Sequence, residues 1–279
     1  MRLIHITPTG NVGNQMFQYI FARVLQARVP DSIVTGYDMP MWGMKAPRAP
    51  ALRDPLVIRG GHVFDVEKLI GRLTSREDAH LDYGGYGQRL EYLGSADFAA
   101  ALFPADISSN APAFGDEHIV INVRGAEIMR GIHRDYMPLP LAFYQTVVET
   151  TGKAPVFVGQ IDYSHPYIRA LRSLFPDAIY LFGRGPADDF EILRRARHVV
   201  LAVSTFAWLA TWMSYKEQTI HLPLLGFLNP RQRADVDLTP WKDPRYRFYE
   251  FPVLHWTGSD TDWTYVLTEG QTHRLEITG

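Results

Sequence analysis

The second half of the chain alternates two hydrophobic patterns. Short, mainly apolar runs at 118–123, 155–159, 178–182 and 199–203 predict strands, and the unbroken run over 199–203 reads as one covered on both faces, as in a parallel sheet. Between them lie stretches with helical spacing: 139–150, 165–175 (Ile168, Leu171, Leu174) and 187–195, with Asp188 and Asp189 in the first turn. A last strand is predicted at 219–222. Strands alternating with helices of about ten residues predict repeated βαβ units. The centre of this half is His198 to Ser214, HVVLAVSTFAWLATWMS. A buried strand runs into Ser204-Thr205, and Phe206, Leu209, Ala210 and Met213 then mark a helix. Ser204 is its candidate N-cap. Free backbone N–H groups at a strand's carboxyl end attract anions, although an ordinary capped helix reads the same way.

The first half is less regular. A strand at 3–7 leads into the turn-rich loop from Pro8 to Gln15, and Phe17, Ile20, Phe21, Val24 and Leu25 predict a helix. The Gly10-x-x-Gly13 loop can bring backbone to a ligand or make a plain tight turn; it is neither a dinucleotide fingerprint nor a Walker loop. Short strands are predicted at 32–36 and 56–58, helices at 65–73 and 96–102, a loop over 40–55 and a turn at 84–87. Pro104 to Gly115 is the predicted linker. The expected organisation is therefore an N-terminal domain over 1–112, a second, Rossmann-like domain over 113–245 and a packing segment over 246–279. The tail from 223 onwards is Pro- and aromatic-rich and shows no clear period.

Composition narrows the function classes. Formal net charge is −2 with both signs interspersed, which argues against a nucleic-acid binder. With no cysteine there is no disulfide, thiol catalysis or thiolate metal site. Met1-Arg2 leads directly into a short strand, without a leader pattern, and no Asn-x-Ser/Thr site occurs. The run 198–214 is shorter than the ~20 residues of a membrane span and is broken by Ser204 and Thr205. The expectation is a cytoplasmic protein with no transmembrane segment.

Candidate chemistry gathers after the first strand of the second half, in Asn122-Val123-Arg124-Gly125-Ala126-Glu127. An Arg at a strand's end can hold a phosphate bidentately or make a surface ion pair. Arg130, His133, Arg134 and Asp135 continue a loop rich in titratable groups, as functional loops and solvated loops both are. Asp235-Val236-Asp237 looks like a metal-holding Asp-x-Asp, but it follows the last predicted strand and has no His or third carboxylate nearby in sequence. No His-Glu-x-x-His and no Gly-x-Ser-x-Gly is present.

Three stretches together resemble the α-1,2-fucosyltransferases of glycosyltransferase family 11. Gly10-Asn11-Val12-Gly13-Asn14-Gln15-Met16-Phe17-Gln18-Tyr19 is similar to that family's opening motif. Val203-Ser204-Thr205-Phe206-Ala207-Trp208 is similar to its Asn-Ser-Thr-Phe-Ser-Trp, and Asp189-Phe190-Glu191 to its Asp-Phe-Glu. Asn122 to Glu127 aligns with its His-Val-Arg-Arg-Gly-Asp, with Asn122, Gly125 and Glu127 departing from it. The match covers about 1–25 and 117–214.

The resemblance implies an α/β protein of GT-B type, two Rossmann-like domains facing a cleft, with an acceptor-binding N-terminal half. It implies inverting, metal-independent transfer of L-fucose from GDP-fucose to a glycan hydroxyl, in polysaccharide or glycan assembly. No cofactor is implied beyond the donor substrate. The partners implied are a nucleotide-sugar donor and a glycan acceptor, compatible with peripheral association with a membrane-linked glycan. Carried over by residue, Arg124 takes the diphosphate; Ser204, Thr205 and Phe206 bind the phosphates; Asp189 faces the nucleoside; Asn14 serves from the N-terminal half. Asn122 belongs to the donor site by position. An inverting transferase also needs a base, for which the sequence offers Glu127, Asp135 and His133. Asn122 and Gly125 keep two rivals open: a transferase of the same fold using another nucleotide sugar, and a non-catalytic nucleotide- or glycan-binding protein.

Overall fold

A computed structural model describes residues 1–48, 50–105, 111–159, 162–214, 217–270 and 273–274; for Ala126, His273 and Arg274 it describes the backbone alone. Residues 106–110 of the expected linker, residue 49 of the expected 40–55 loop, and 271–272 and 275–279 of the expected tail lie outside the described residues. The chain divides into two units, Met1–Ala105 with Asp235–Leu238, and Asp106–Ala234 with Thr239–Gly279.

The first unit runs β1 (Arg2–Ile6), α1 (Val12–Arg28), β2 (Ser32–Thr35), β3 (Asp38–Met39), β4 (Met44–Lys45), β5 (Leu56–Arg59), α2 (Val66–Thr74), β6 (His80–Gly84) and α3 (Ala96–Leu102). Its sheet has the order β2-β1-β6-β5, parallel throughout. Helix α1 buries Phe17, Ile20, Phe21 and Leu25 of the stripe its spacing predicts, with Met16 beside them, and leaves Val24 half-buried. Asp65 and Ser95 cap α2 and α3 by accepting from the amides of Lys68 and Phe98. Within the loop expected over 40–55, β4 pairs antiparallel with β3 just before it. Strand β6 carries Asp82 in its middle, which hid it from an apolar-run search. There Thr7 Oγ1 donates to Asp82 Oδ1 (2.6 Å) and Arg59 pairs with Oδ2 (2.5 Å).

The second unit runs β7 (His118–Asn122), α4 (Leu141–Thr151), β8 (Ala154–Gly159), α5 (Pro166–Leu174), β9 (Ile179–Phe182), α6 (Pro186–Arg195), β10 (His198–Val200), α7 (Thr205–Trp212), β11 (Thr219–Leu224), β12 (Tyr246–Glu250), α8 (Asp260–Thr264) and β13 (His273–Arg274). The sheet order is β13-β12-β11-β10-β7-β8-β9, parallel except for β13. From β9 to β12 this is the doubly wound 3-2-1-4-5-6 order of a Rossmann fold. The central run Val199, Val200, Leu201 and Val203 is fully buried, as a strand covered on both faces requires. Residues 246–250 of the expected packing segment form β12, which pairs in register with β11, from Ile220↔Tyr246 to Leu224↔Glu250. Both units are Rossmann-like α/β, the pair of units that the sequence predicts. No helix among the described residues is long and apolar enough to cross a membrane.

Candidate functional site

In the 3-2-1-4-5-6 order the chain reverses its direction of travel between β7 and β10, and ligands of open α/β sheets bind outside the strand ends at that point. The two strands pair directly, Val199↔Val120 and Val200↔Ile121. The segments that leave these two strands therefore flank the switch point: Asn122 to Glu127 after β7, and Ser204 to Phe206 after β10. These are two of the stretches that the sequence singles out.

After β7, Val123 continues the ladder by donating its amide to Val158 O (2.8 Å), and Arg124 is the first residue with a partly exposed side chain. Gly125 then opens a 3-10 turn, Ala126–Arg130, which places Glu127 so that its carboxylate pairs with the Arg124 guanidinium. Burial raises the Glu127 pKa, but its own backbone N–H, the Arg124 charge and hydrogen bond, and His133 together hold it below the usual glutamate range. Asn122 is 8% exposed. Its Nδ2 donates to Val158 O (3.4 Å), while its Oδ1 is buried with no hydrogen-bond partner among the described residues.

After β10, Ser204 adopts an extended backbone and its Oγ accepts from Ala207 N (3.3 Å), starting α7 as the pattern predicts. Ser204 and Thr205 are buried, and the Phe206 ring lies 5.0 Å from that of Phe190 on α6. Asp189, in the first turn of α6, is also buried, and its Oδ1 likewise finds no partner among the described residues. Burial, reinforced by the neighbouring Asp188 and opposed by Arg184, pushes the Asp189 pKa up to about 7.

Asp135 lies elsewhere in this unit's network. Its Oδ1 accepts from Gln232 Nε2 (2.9 Å) and its Oδ2 from Arg233 Nη1 (3.0 Å), with Arg134 and His255 at 3.9 and 3.8 Å. His133 and Arg130 are exposed, the His133 ring 5.9 Å from Tyr136. Arg134 is bonded to His255 through Nη2 (2.7 Å).

No family model and no curated protein matches this chain. Among solved structures, it is similar to E. coli heptosyltransferase WaaC with ADP, at 12% identity over 90% of this chain and 94% of that one, TM-score 0.47. It is similar to a glycosyl transferase family 9 protein from Veillonella parvula at 11% identity, over 90% and 87%, TM-score 0.46. It is also similar to the iron-containing dodecameric glycosyltransferase TibC from enterotoxigenic E. coli, at 13% identity over 86% and 61%, TM-score 0.42. At such identities the functional reading is carried by this chain's own residues.

In the first unit, Gly10 takes a left-handed φ of +72°, and a Cβ there would collide with the Asn14 side chain, so this glycine makes a turn that a larger residue would strain. Asn14 Oδ1 accepts from Gln88 Nε2 (2.8 Å), within the same unit. Asp235 and Asp237 also belong here, not to the second domain: Asp235 O accepts from Arg89 Nη1 (3.0 Å), Asp237 N donates to Gln88 O (3.0 Å) and Asp237 O accepts from Leu90 N (2.8 Å). Their backbones thus clip 235–237 to 88–90. Among the described residues no three His, Asp or Glu side chains form a metal-binding group.

Sequence reasoning passed over Gln232, Arg233 and Trp256, all in the aperiodic tail. No spacing marks them; only their proximity in the fold to the turn after β7 does.

Proposed function

We propose that this chain is a glycosyltransferase of GT-B type that takes a sugar from a nucleotide sugar and passes it, with inversion, to a glycan hydroxyl. The observation that carries the reading is the pairing of β7 with β10, which sets Arg124 and the capped start of α7 on either side of the switch point. In this reading Arg124 offers the diphosphate a planar charged fork, and the α7 N-terminus offers backbone N–H groups and the positive end of the helix dipole. Both favour charge that grows on a leaving diphosphate. Asp189 faces the nucleoside, and Thr205 and Phe206 line the phosphates. The donor that the motif resemblance favours is GDP-fucose, giving an α-1,2 linkage, and no metal is required.

Of the base candidates, Glu127 is tied to Arg124 and held acidic, which suits it to orienting the guanidinium. Both oxygens of Asp135 are occupied by Gln232 and Arg233, which suits it to holding its loop.

A second reading, a different nucleotide sugar on the same fold, is favoured by Asn122. Its Oδ1, with no partner among the described residues, is an acceptor and calls for a hydroxyl or N–H, where the resembled family offers an imidazole. The experiment is a thermal-shift series with GDP, ADP, UDP, CDP and dTDP in EDTA, followed by donor hydrolysis. A nucleoside diphosphate at about 100 Kd stabilises by roughly 2.7 kcal/mol. No shift with any of the five removes the transferase reading; binding without turnover of the matching donor and an acceptor set leaves a binding protein.

A further inference from the structure

The 3-10 turn Ala126–Arg130 carries Glu127 and so sets the geometry of the Arg124 guanidinium. A five-residue turn of this kind has weak bonds of its own: Ile128 N reaches Gly125 O at 3.4 Å, and Gly131 N reaches Ile128 O at 3.3 Å. Its rigidity comes from elsewhere. Trp256, 1% exposed, donates its indole Nε1–H to Ile128 O at 2.6 Å. The backbone N–H of Trp256 donates to Arg134 O at 2.8 Å, gripping the same loop at its far end. Between the two grips, Gly131 ends the turn with φ +67°, and a Cβ there would meet Thr257 O.

The gripping segment is itself fixed. Asp262 Oδ2 accepts from Thr257 N (2.8 Å) and Thr257 Oγ1 (2.6 Å), and Asp262 completes a capping box with Ser259 at the start of α8. The Trp256 ring stacks edge-on against Trp263 at 5.0 Å. On the loop's other side, Asp135 O accepts from Phe227 N (2.9 Å), and the Asp135 carboxylate holds Gln232 and Arg233.

We propose that Trp256 is a positioning residue of the donor site: its indole N–H fixes the turn that orients Arg124, so the tail after β12 is the clamp of the site. The inference rests on Arg124 being the diphosphate ligand. The buried N–H is spent on the carbonyl of Ile128, one residue after Glu127, and not on the tail's own packing. A buried indole N–H takes a partner wherever it lies; here that partner is the carbonyl of the turn that carries Glu127, and Phe keeps most of the volume without the donor.

The test uses the full chain, with Trp256→Phe, Arg124→Ala, and the double variant. Amide hydrogen exchange is read over 124–131 and, as a control, over α5. Kd is measured by calorimetry for whichever of GDP, ADP, UDP, CDP or dTDP binds the wild type. Trp256→Phe is expected to speed exchange over 124–131 by roughly tenfold, the factor that goes with one lost buried hydrogen bond, and to leave α5 unchanged. It is expected to weaken the nucleotide about tenfold alone, and not at all in the Arg124→Ala background, because the two act as one unit. Additive losses in the double variant, or unchanged exchange over 124–131, overturn the positioning role. If Trp256→Phe does not fold, Asp135→Asn, which loosens the same loop from its other side, takes its place in the cycle with the same expectations. A wild type that binds none of the five nucleotides fails at the donor site itself, and Trp256 then positions nothing; a wild type that binds, with additive variants, leaves the donor site standing and removes only the clamp.

Discussion

In the first unit's sheet, Asp82 stands between Thr7 Oγ1 and the Arg59 guanidinium, and His5 Nδ1 lies 3.0 Å from Thr35 Oγ1 on the next strand. In the second unit, Asp189 and Asn122 each bury an acceptor oxygen that has no partner among the described residues. Both sheets are parallel, and both put polar side chains among their strands and helix starts. The first closes Asp82 and His5 on neighbouring side chains, which rigidifies a scaffold, and leaves the Tyr83 hydroxyl on β6 buried with no partner among the described residues. The second leaves acceptors open at Asn122 and Asp189, and also at Gln218 Oε1, among the described residues, at a cost of about 1–3 kcal/mol for each unsatisfied buried group. Such groups take their donors from ordered water, an ion or a ligand, and Asn122 and Asp189 stand at strand–helix junctions of a doubly wound sheet.

The contrast predicts opposite pH behaviour for the two aspartates. Asp189 has its pKa pushed up to about 7. Between the ordinary carboxylate value near 3.9 and about 7, the native state holds more protons than the unfolded chain, so its contribution falls as pH rises. Asp189→Asn removes that burden and is expected to stabilise the protein by roughly 4 kcal/mol at pH 8 and by nothing near pH 4. Urea unfolding at a series of pH values reads this directly. A variant that is less stable than wild type at pH 8 would mean that Asp189 has a partner, and the comparison would break.

Asp82 is the smaller effect and has the other sign. Burial raises its pKa, but the Arg59 and Thr7 hydrogen bonds outweigh that and hold it below the usual aspartate range. Its contribution is complete above the ordinary carboxylate value and is lost as pH falls through the depressed one. Asp82→Asn is expected to cost about 1–3 kcal/mol at pH 7, with the gap closing in acid. A gap that widens on acidification contradicts the closed network.

Ser204→Ala sharpens the comparison further. The cap is worth about 1 kcal/mol of stability. In the ligand-free protein this is all that should be lost. Nucleotide binding should weaken several-fold as well, since the same helix start is read as the phosphate site. A stability loss with unchanged affinity would make α7 an ordinary capped helix.

Much of this was legible in the chain. The apolar runs of the second half mark β7, β8 and β10 because a strand buried on both faces needs no alternation, and the edge strand β9 shows the same kind of run although it is half-buried to exposed. Ser204 was legible as a cap because the strand and the helix stripe meet there. Strand β6 was not, because Asp82 interrupts its apolar run and only the partners Thr7 and Arg59 make it tolerable. Strand β12 was hidden in the tail because Arg247 and Glu250 alternate with aromatics whose burial depends on β11 beside them. At the site, Arg124 and Ser204 are local features of strand ends. The pairing of Glu127 with Arg124, the occupied carboxylate of Asp135 and the hold of Trp256 on Ile128 are not, since each depends on a loop path that no periodicity encodes.

The central claim is that Arg124, at the junction after β7, holds the diphosphate of a nucleotide sugar. Its direct test is calorimetric titration of wild type and Arg124→Ala with GDP, ADP, UDP, CDP and dTDP in the presence of EDTA. The account predicts that at least one nucleotide binds the wild type, and that Arg124→Ala weakens it by roughly 10- to 150-fold, the worth of a charge-assisted contact. Equal affinity in Arg124→Ala, with circular dichroism unchanged, would contradict it.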